Sequence, residues 1–105
     1  MHGHERLDVY RIALEVARWA ARQQVPTARR HLRDQLVRAA DSMVLNIAEG
    51  AGREPGDGRR HHFRIAAGSA AEVAAVLDLI EFPEAQGRKE QLQRVGAMLA
   101  RLTAR

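Results

Sequence analysis

The chain has 105 residues, no cysteine, three prolines and four aromatics: Tyr10, Trp19, Phe63 and Phe82. That length holds one small domain, spanning 1–105, and the missing cysteines exclude disulfide scaffolds and thiolate zinc sites. Charges interrupt every apolar run, so no transmembrane helix is expected, and Met1-His2-Gly3-His4-Glu5-Arg6 has no apolar core for a secretory signal; with no cysteine, a cytoplasmic address is the expectation. Seventeen basic residues against thirteen acidic ones give +4, compatible with an anionic partner. Sixteen of the seventeen are Arg; an Ala- and Arg-rich chain is also what a GC-rich genome encodes, so composition leaves both causes open.

Glycine and proline cut the chain at Gln24-Val25-Pro26-Thr27, at Gly50-Ala51-Gly52 through Pro55-Gly56-Asp57-Gly58, and at Phe82-Pro83-Glu84. Between them lie runs of strong helix formers without the alternation of a strand. Four helices are expected, over about 4–23, 28–51, 57–81 and 84–103, and the class is all-α.

Helix 1 carries a charged stripe of Asp8, Arg11, Glu15, Arg18 and Arg22, spaced 3, 4, 3 and 4. Leu7, Tyr10, Leu14, Ala17 and Ala21 line one side of it, and Val9, Ile12, Val16 and Trp19 form a second apolar stripe. The polar arc covers only about a quarter of the helix, whereas a helix in a monomeric bundle needs a single apolar face. The stripe of Val9, Ile12, Val16 and Trp19 is therefore expected at a subunit interface.

Helix 2 has a core stripe of Leu32, Leu36, Ala39, Met43 and Ile47. Ser42, Asn46 and Glu49 share an adjacent face, and Ser69 and Glu72 form a similar pair on helix 3. With Arg38 and Arg53 as candidate partners, these residues read as a polar network that sets helix register. Helix 3 is dense in alanine, and helix 4 turns Leu92, Val95, Leu99 and Leu102 inward. Basic clusters open helix 2 (Arg29, Arg30 and Arg33) and helix 3 (Arg59, Arg60 and Arg64), and these six arginines are the candidate phosphate contacts. Repetition of the clusters around an oligomer would make them act together.

Catalytic motifs are missing: no cysteine, no Ser-x-x-Lys, no paired Glu-x-x-His and no His-Glu-x-x-His. Consecutive His61 and His62 point about 100° apart on a helix and do not share a metal easily. Gly50, Gly52 and Gly56 follow a helix, not a strand, and lack the Gly-Lys-Ser/Thr of a phosphate loop. A non-enzyme without cofactor or metal is expected.

Helix 2 nevertheless carries a family resemblance. Gln35-Leu36-Val37-Arg38-Ala39-Ala40-Asp41-Ser42, Asn46-Ile47-Ala48-Glu49-Gly50 with Arg53, and Gly68-Ser69 with Glu72 resemble the bacterial four-helix-bundle family first described from reading frames inside 23S rRNA intervening sequences. That family includes the accessory variability determinants of diversity-generating retroelements. The resemblance covers about 5–80. It implies an up-down four-helix bundle assembled as a homopentameric ring; the retroelement branch adds a basic surface that binds RNA or DNA, and a reverse transcriptase as partner. The matched residues Asn46, Glu49, Arg53, Ser69 and Glu72 would be structural or inter-subunit contacts. The chain departs from the pattern at Thr27-Ala28-Arg29-Arg30, at Pro55-Gly56-Asp57-Gly58 and at His62, where an aromatic is usual. These departures imply a looser hinge after Arg53 and a late start to helix 3. A protein-interaction scaffold with no nucleic-acid role is the alternative function.

Overall fold

A computed structural model describes residues 2–104. It contains α1 (His2–Ala21), a 3-10 turn (Thr27–Arg29), α2 (Arg30–Ala51), α3 (Asp57–Leu79) and α4 (Ala85–Thr103), with no strand among the described residues. The boundaries lie within two residues of the expected ones, except that the 3-10 turn precedes α2. Helix 3 does not start late: Asp57 opens it, and the backbone N–H of Arg60 already bonds Gly56 O at 3.1 Å.

Short connections make the four helices antiparallel neighbours in an up-down bundle. Each helix packs on the next and α1 packs on α4, while among the described residues no Cα pair comes within 8 Å across the diagonals. The bundle is 43 Å long. One end carries the α1–α2 and α3–α4 connections, here called the Pro26 end. The opposite Gly56 end carries the α2–α3 connection, the start of α1 and the finish of α4.

The core runs along the axis, through Val9, Val16, Leu36, Met43, Ile47, Phe63, Val73, Val95 and Leu99. The most extensive packing is between α2 and α3, and Gly50 permits the close contact at its Gly56 end. A Cβ on Gly50 would lie 2.6 Å from Phe63 Cε1 and 3.3 Å from Arg59 O. At the Pro26 end Trp19, only 2% exposed, meets Phe82 edge to face with ring centroids 5.7 Å apart. The turn carrying Phe82 closes through the Ala85 N–H on Phe82 O at 3.1 Å, with Glu84 in the left-handed region at φ 69°. That is the position where a type II turn following proline requires positive φ.

The stripe expected at a subunit interface belongs to this core. Val9, Ile12, Val16 and Trp19 are all buried inside the single chain. The apolar surplus of α1 lies instead on the other stripe, where Leu7 is 49% exposed and Tyr10 and Leu14 are half-buried. Both stripes satisfy the helical period. The bulkier set, with Trp19 opposite Phe82, removes more surface from water when it points inward.

Candidate functional site

Three groups of polar side chains are candidates: the seam between α2 and α3, the arginines at the helix starts, and a cavity at the Gly56 end.

Along the α2–α3 seam a hydrogen-bonded file crosses from one helix to the other. Ser69 Oγ donates to Ser42 Oγ at 2.9 Å, and Asn46 Nδ2 donates to Ser42 O at 2.9 Å and to Ser42 Oγ at 3.3 Å. With Nδ2 used, Asn46 Oδ1 accepts from His62 Nδ1, 2.9 Å away. Gln35 Nε2 donates to Glu72 Oε2 at 2.7 Å further along, and Arg53 pairs with Glu49 at 3.1 Å on the exposed side. The expected residues are thus brought onto one seam, but as three separate groups. Arg38 joins none of them: it is exposed and has no side-chain partner among the described residues, although it lines a shallow cleft with Gln35, Ser42, Ser69 and Glu72. Gln35 and His62 were missed, yet a signal was present. Gln35 stands seven residues before Ser42 and His62 seven before Ser69, so each falls on the face already marked. The seam has the character of a register lock: every buried polar atom in it has a partner.

The arginines divide by what their donors meet. A helix leaves its last carbonyls without backbone donors and ends in partial negative charge. Arg33 reaches back to α1, with Nε on Gln23 O at 2.9 Å and Nη2 on Ala21 O at 3.0 Å. Arg59 does the same for α2, with Nε on Gly50 O at 3.0 Å and Nη2 on Ala51 O at 3.4 Å and on Arg53 O. Arg29 Nη2 reaches Leu79 O at 3.3 Å, at the finish of α3. Three of the six candidate phosphate contacts therefore serve helix C-termini, and a fourth, Arg60, pairs with Asp57. Only Arg30 and Arg64 are exposed and without a side-chain partner among the described residues. The sequence places all six in the opening turns of helices, and only the loop paths bring preceding carbonyls within reach of their long side chains.

Two surface features complete the picture. Between α1 and α2 runs an apolar groove of about 400 Å³ lined by Leu14, Ala17, Ala21, Val44 and Leu45, with Arg18 and Asp41 on its rim. Leu45, which was absent from the expected stripes, is 67% exposed there. At the Gly56 end Arg6, Arg59, Arg60 and Arg101 surround a cavity of about 370 Å³. Among the described residues no cluster of His, Asp or Glu could hold a metal ion, and no helix is long and apolar enough to cross a membrane.

Compared with known families, the chain is matched over residues 5–101 by the family model described as 23S rRNA-intervening sequence protein. No curated protein and no solved structure gives a match.

Proposed function

Since the chain belongs to the 23S rRNA-intervening sequence protein family, we propose that it is a non-enzymatic bundle protein that self-associates and binds RNA or DNA through arginine–phosphate contacts. The observation that carries this reading is the partition of the arginines. Once those on carbonyls and carboxylates are set aside, Arg11, Arg18, Arg30, Arg38, Arg64 and Arg94 remain exposed with no side-chain partner among the described residues, on a chain of net charge +4; of these, Arg30, Arg38 and Arg64 belong to α2 and α3. No aromatic platform accompanies them, since Trp19, Phe63 and Phe82 are buried and Tyr10 is half-buried, so contacts to phosphate rather than to bases are expected.

Self-association is assigned to the α1–α2 groove. Leu7 and Leu45 cost solvent ordering when exposed, and Arg18 and Asp41 on the rim offer a second copy opposite charges. A homopentameric ring, as the resemblance implies, would repeat Arg30 and Arg64 around its circumference and pool weak contacts. A reverse transcriptase would be a further partner in the retroelement branch.

Light scattering and a salt titration test the two parts separately. Leu45→Glu should lower the particle mass with the helical content unchanged; an unchanged mass would remove this groove as the contact. In the wild type, affinity for structured RNA should fall steeply with salt, and Arg30→Glu with Arg64→Glu should flatten the slope of log K against log salt by about 1.5. An unaltered slope would exclude these two residues, and absence of binding at low salt would exclude the nucleic-acid reading. The exposed groove also supports the scaffold alternative, in which Leu45→Glu would abolish capture of one protein partner while RNA is absent from the complex.

A further inference from the structure

We infer that the cavity at the Gly56 end is a binding site for a phosphomonoester group. This inference is independent of the RNA reading, because it concerns one open cavity lined by a different set of arginines.

Four arginines line the cavity from three parts of the chain: Arg6 on α1, Arg59 and Arg60 at the start of α3, and Arg101 near the finish of α4. Two carboxylates stand beside them. Glu5 Oε2 accepts from Arg101 Nε at 2.7 Å, and Asp57 pairs with Arg60. Arg59 is fixed in place by the terminal carbonyls of α2, whose partial negative charge offsets only part of its own. Arg6 is half-buried and has no partner among the described residues. Arg60 is held largely out of solvent, yet its buried Nε has no acceptor. Gathering like charges around one cavity costs free energy, and a buried N–H without an acceptor adds to that cost. An anion in the cavity would relieve both, with a small rotation of the Arg60 guanidinium bringing its donors into register.

The chemistry of the wall narrows the ligand. Guanidinium forks match the tetrahedral oxygens of phosphate. The cavity, at about 370 Å³, lies near the low end of the ~300–1,000 Å³ range of sites for small organic ligands. Pro55, Leu102 and Ala104 supply an apolar wall for the carbon skeleton of an ester. No aromatic side chain lines the cavity, so recognition rests on the phosphate. A free phosphomonoester and the 5′-phosphate of a nucleic-acid strand share this chemistry.

Titration of the wild-type protein with inorganic phosphate, followed through the arginine Nε–H resonances, tests the site. Saturable movement of the Arg60 Nε–H signal is expected, beyond that produced by chloride at equal ionic strength. Arg6→Gln, a half-exposed position without a partner to lose, should weaken phosphate binding about tenfold, and Arg94→Gln, on the exposed face of α4, should not change it. Equal responses to phosphate and chloride, or wild-type affinity in Arg6→Gln, would overturn the proposal. Oligonucleotides with and without a 5′-phosphate separate the sources. A 5′-phosphate that tightens binding, with the gain lost in Arg6→Gln, assigns a strand end; equal binding of the two beside saturable inorganic phosphate assigns a free phosphomonoester. Loss of all RNA binding with the phosphate response intact would fail the RNA reading alone.

Discussion

The two ends of the bundle use the same residue type to opposite effect. At the Pro26 end, Arg29 and Arg33 take the terminal carbonyls of α3 and α1. Arg88 lies over the Trp19 ring, 5.4 Å from its centroid, and bonds Glu84 and Gln91. These donors have protein acceptors, and an aromatic pair fills the interior. At the Gly56 end, Arg59 likewise closes α2, but Arg6 has no partner among the described residues and Arg60 has a donor unmet. No side chain caps α3 either, because Gly56, at φ 148°, offers none and sits in a region that L side chains rarely adopt. An arginine is therefore structural where a helix finishes beside it, and available where the chain brings several together without enough acceptors.

The largest way to break this contrast is Trp19→Ala. It removes the aromatic pair and the surface beneath Arg88 from the closed end, and should cost about 3–5 kcal/mol in a urea unfolding experiment. A loss under about 1 kcal/mol would mean that the end is not held by its aromatic interior.

At the open end the strongest perturbation is Gly50→Ala, whose Cβ must displace the Phe63 ring. Overpacking of this kind should cost about 1–3 kcal/mol. Because Gly50 and Phe63 lie beside the cavity-forming Arg59, the same variant should also weaken the phosphate response, which Trp19 variants that still fold should leave unchanged.

Arg33→Gln and Arg59→Gln sharpen the comparison. Each removes a guanidinium from terminal carbonyls of a helix, α1 in one case and α2 in the other, and each should cost about 1–2 kcal/mol by thermal melting. Equal losses would establish the two as equivalent helix closures at opposite ends. A loss at one position only would show that water replaces the other guanidinium. The smallest effect is expected for Arg64→Gln: an exposed side chain without a partner should change stability by no more than about 0.5 kcal/mol while still reducing RNA affinity.

Much of the architecture was legible because helices are written in local terms. Pro26, Gly52 with Pro55 and Gly56, and Pro83 mark the connections, and the periodicities of α2 and α4 place Leu36, Met43, Ile47, Leu92, Val95 and Leu99 correctly in the core. The polar seam was legible from the spacing of Ser42, Asn46 and Ser69. The orientation of α1 was not, since two apolar stripes fit the same helix and only its neighbours choose between them. Leu45 was overlooked for the related reason that its neighbours one turn away, Asp41, Ser42 and Glu49, are polar, so it continues no apolar stripe.

By itself the sequence determined the helix number, their approximate bounds, the α2–α3 polar seam and the family motif, because backbone propensity and periodicity act over a few residues. Tertiary structure alone decided which stripe of α1 is buried, which arginines meet carbonyls and which converge on a cavity. Those outcomes depend on residues 6 to 95 positions apart, such as Arg59 with Arg53, Arg29 with Leu79 and Arg6 with Arg101. A long charged side chain has no intrinsic preference between water, a helix terminus and a shared anion; the acceptors that the fold places beside it make the choice.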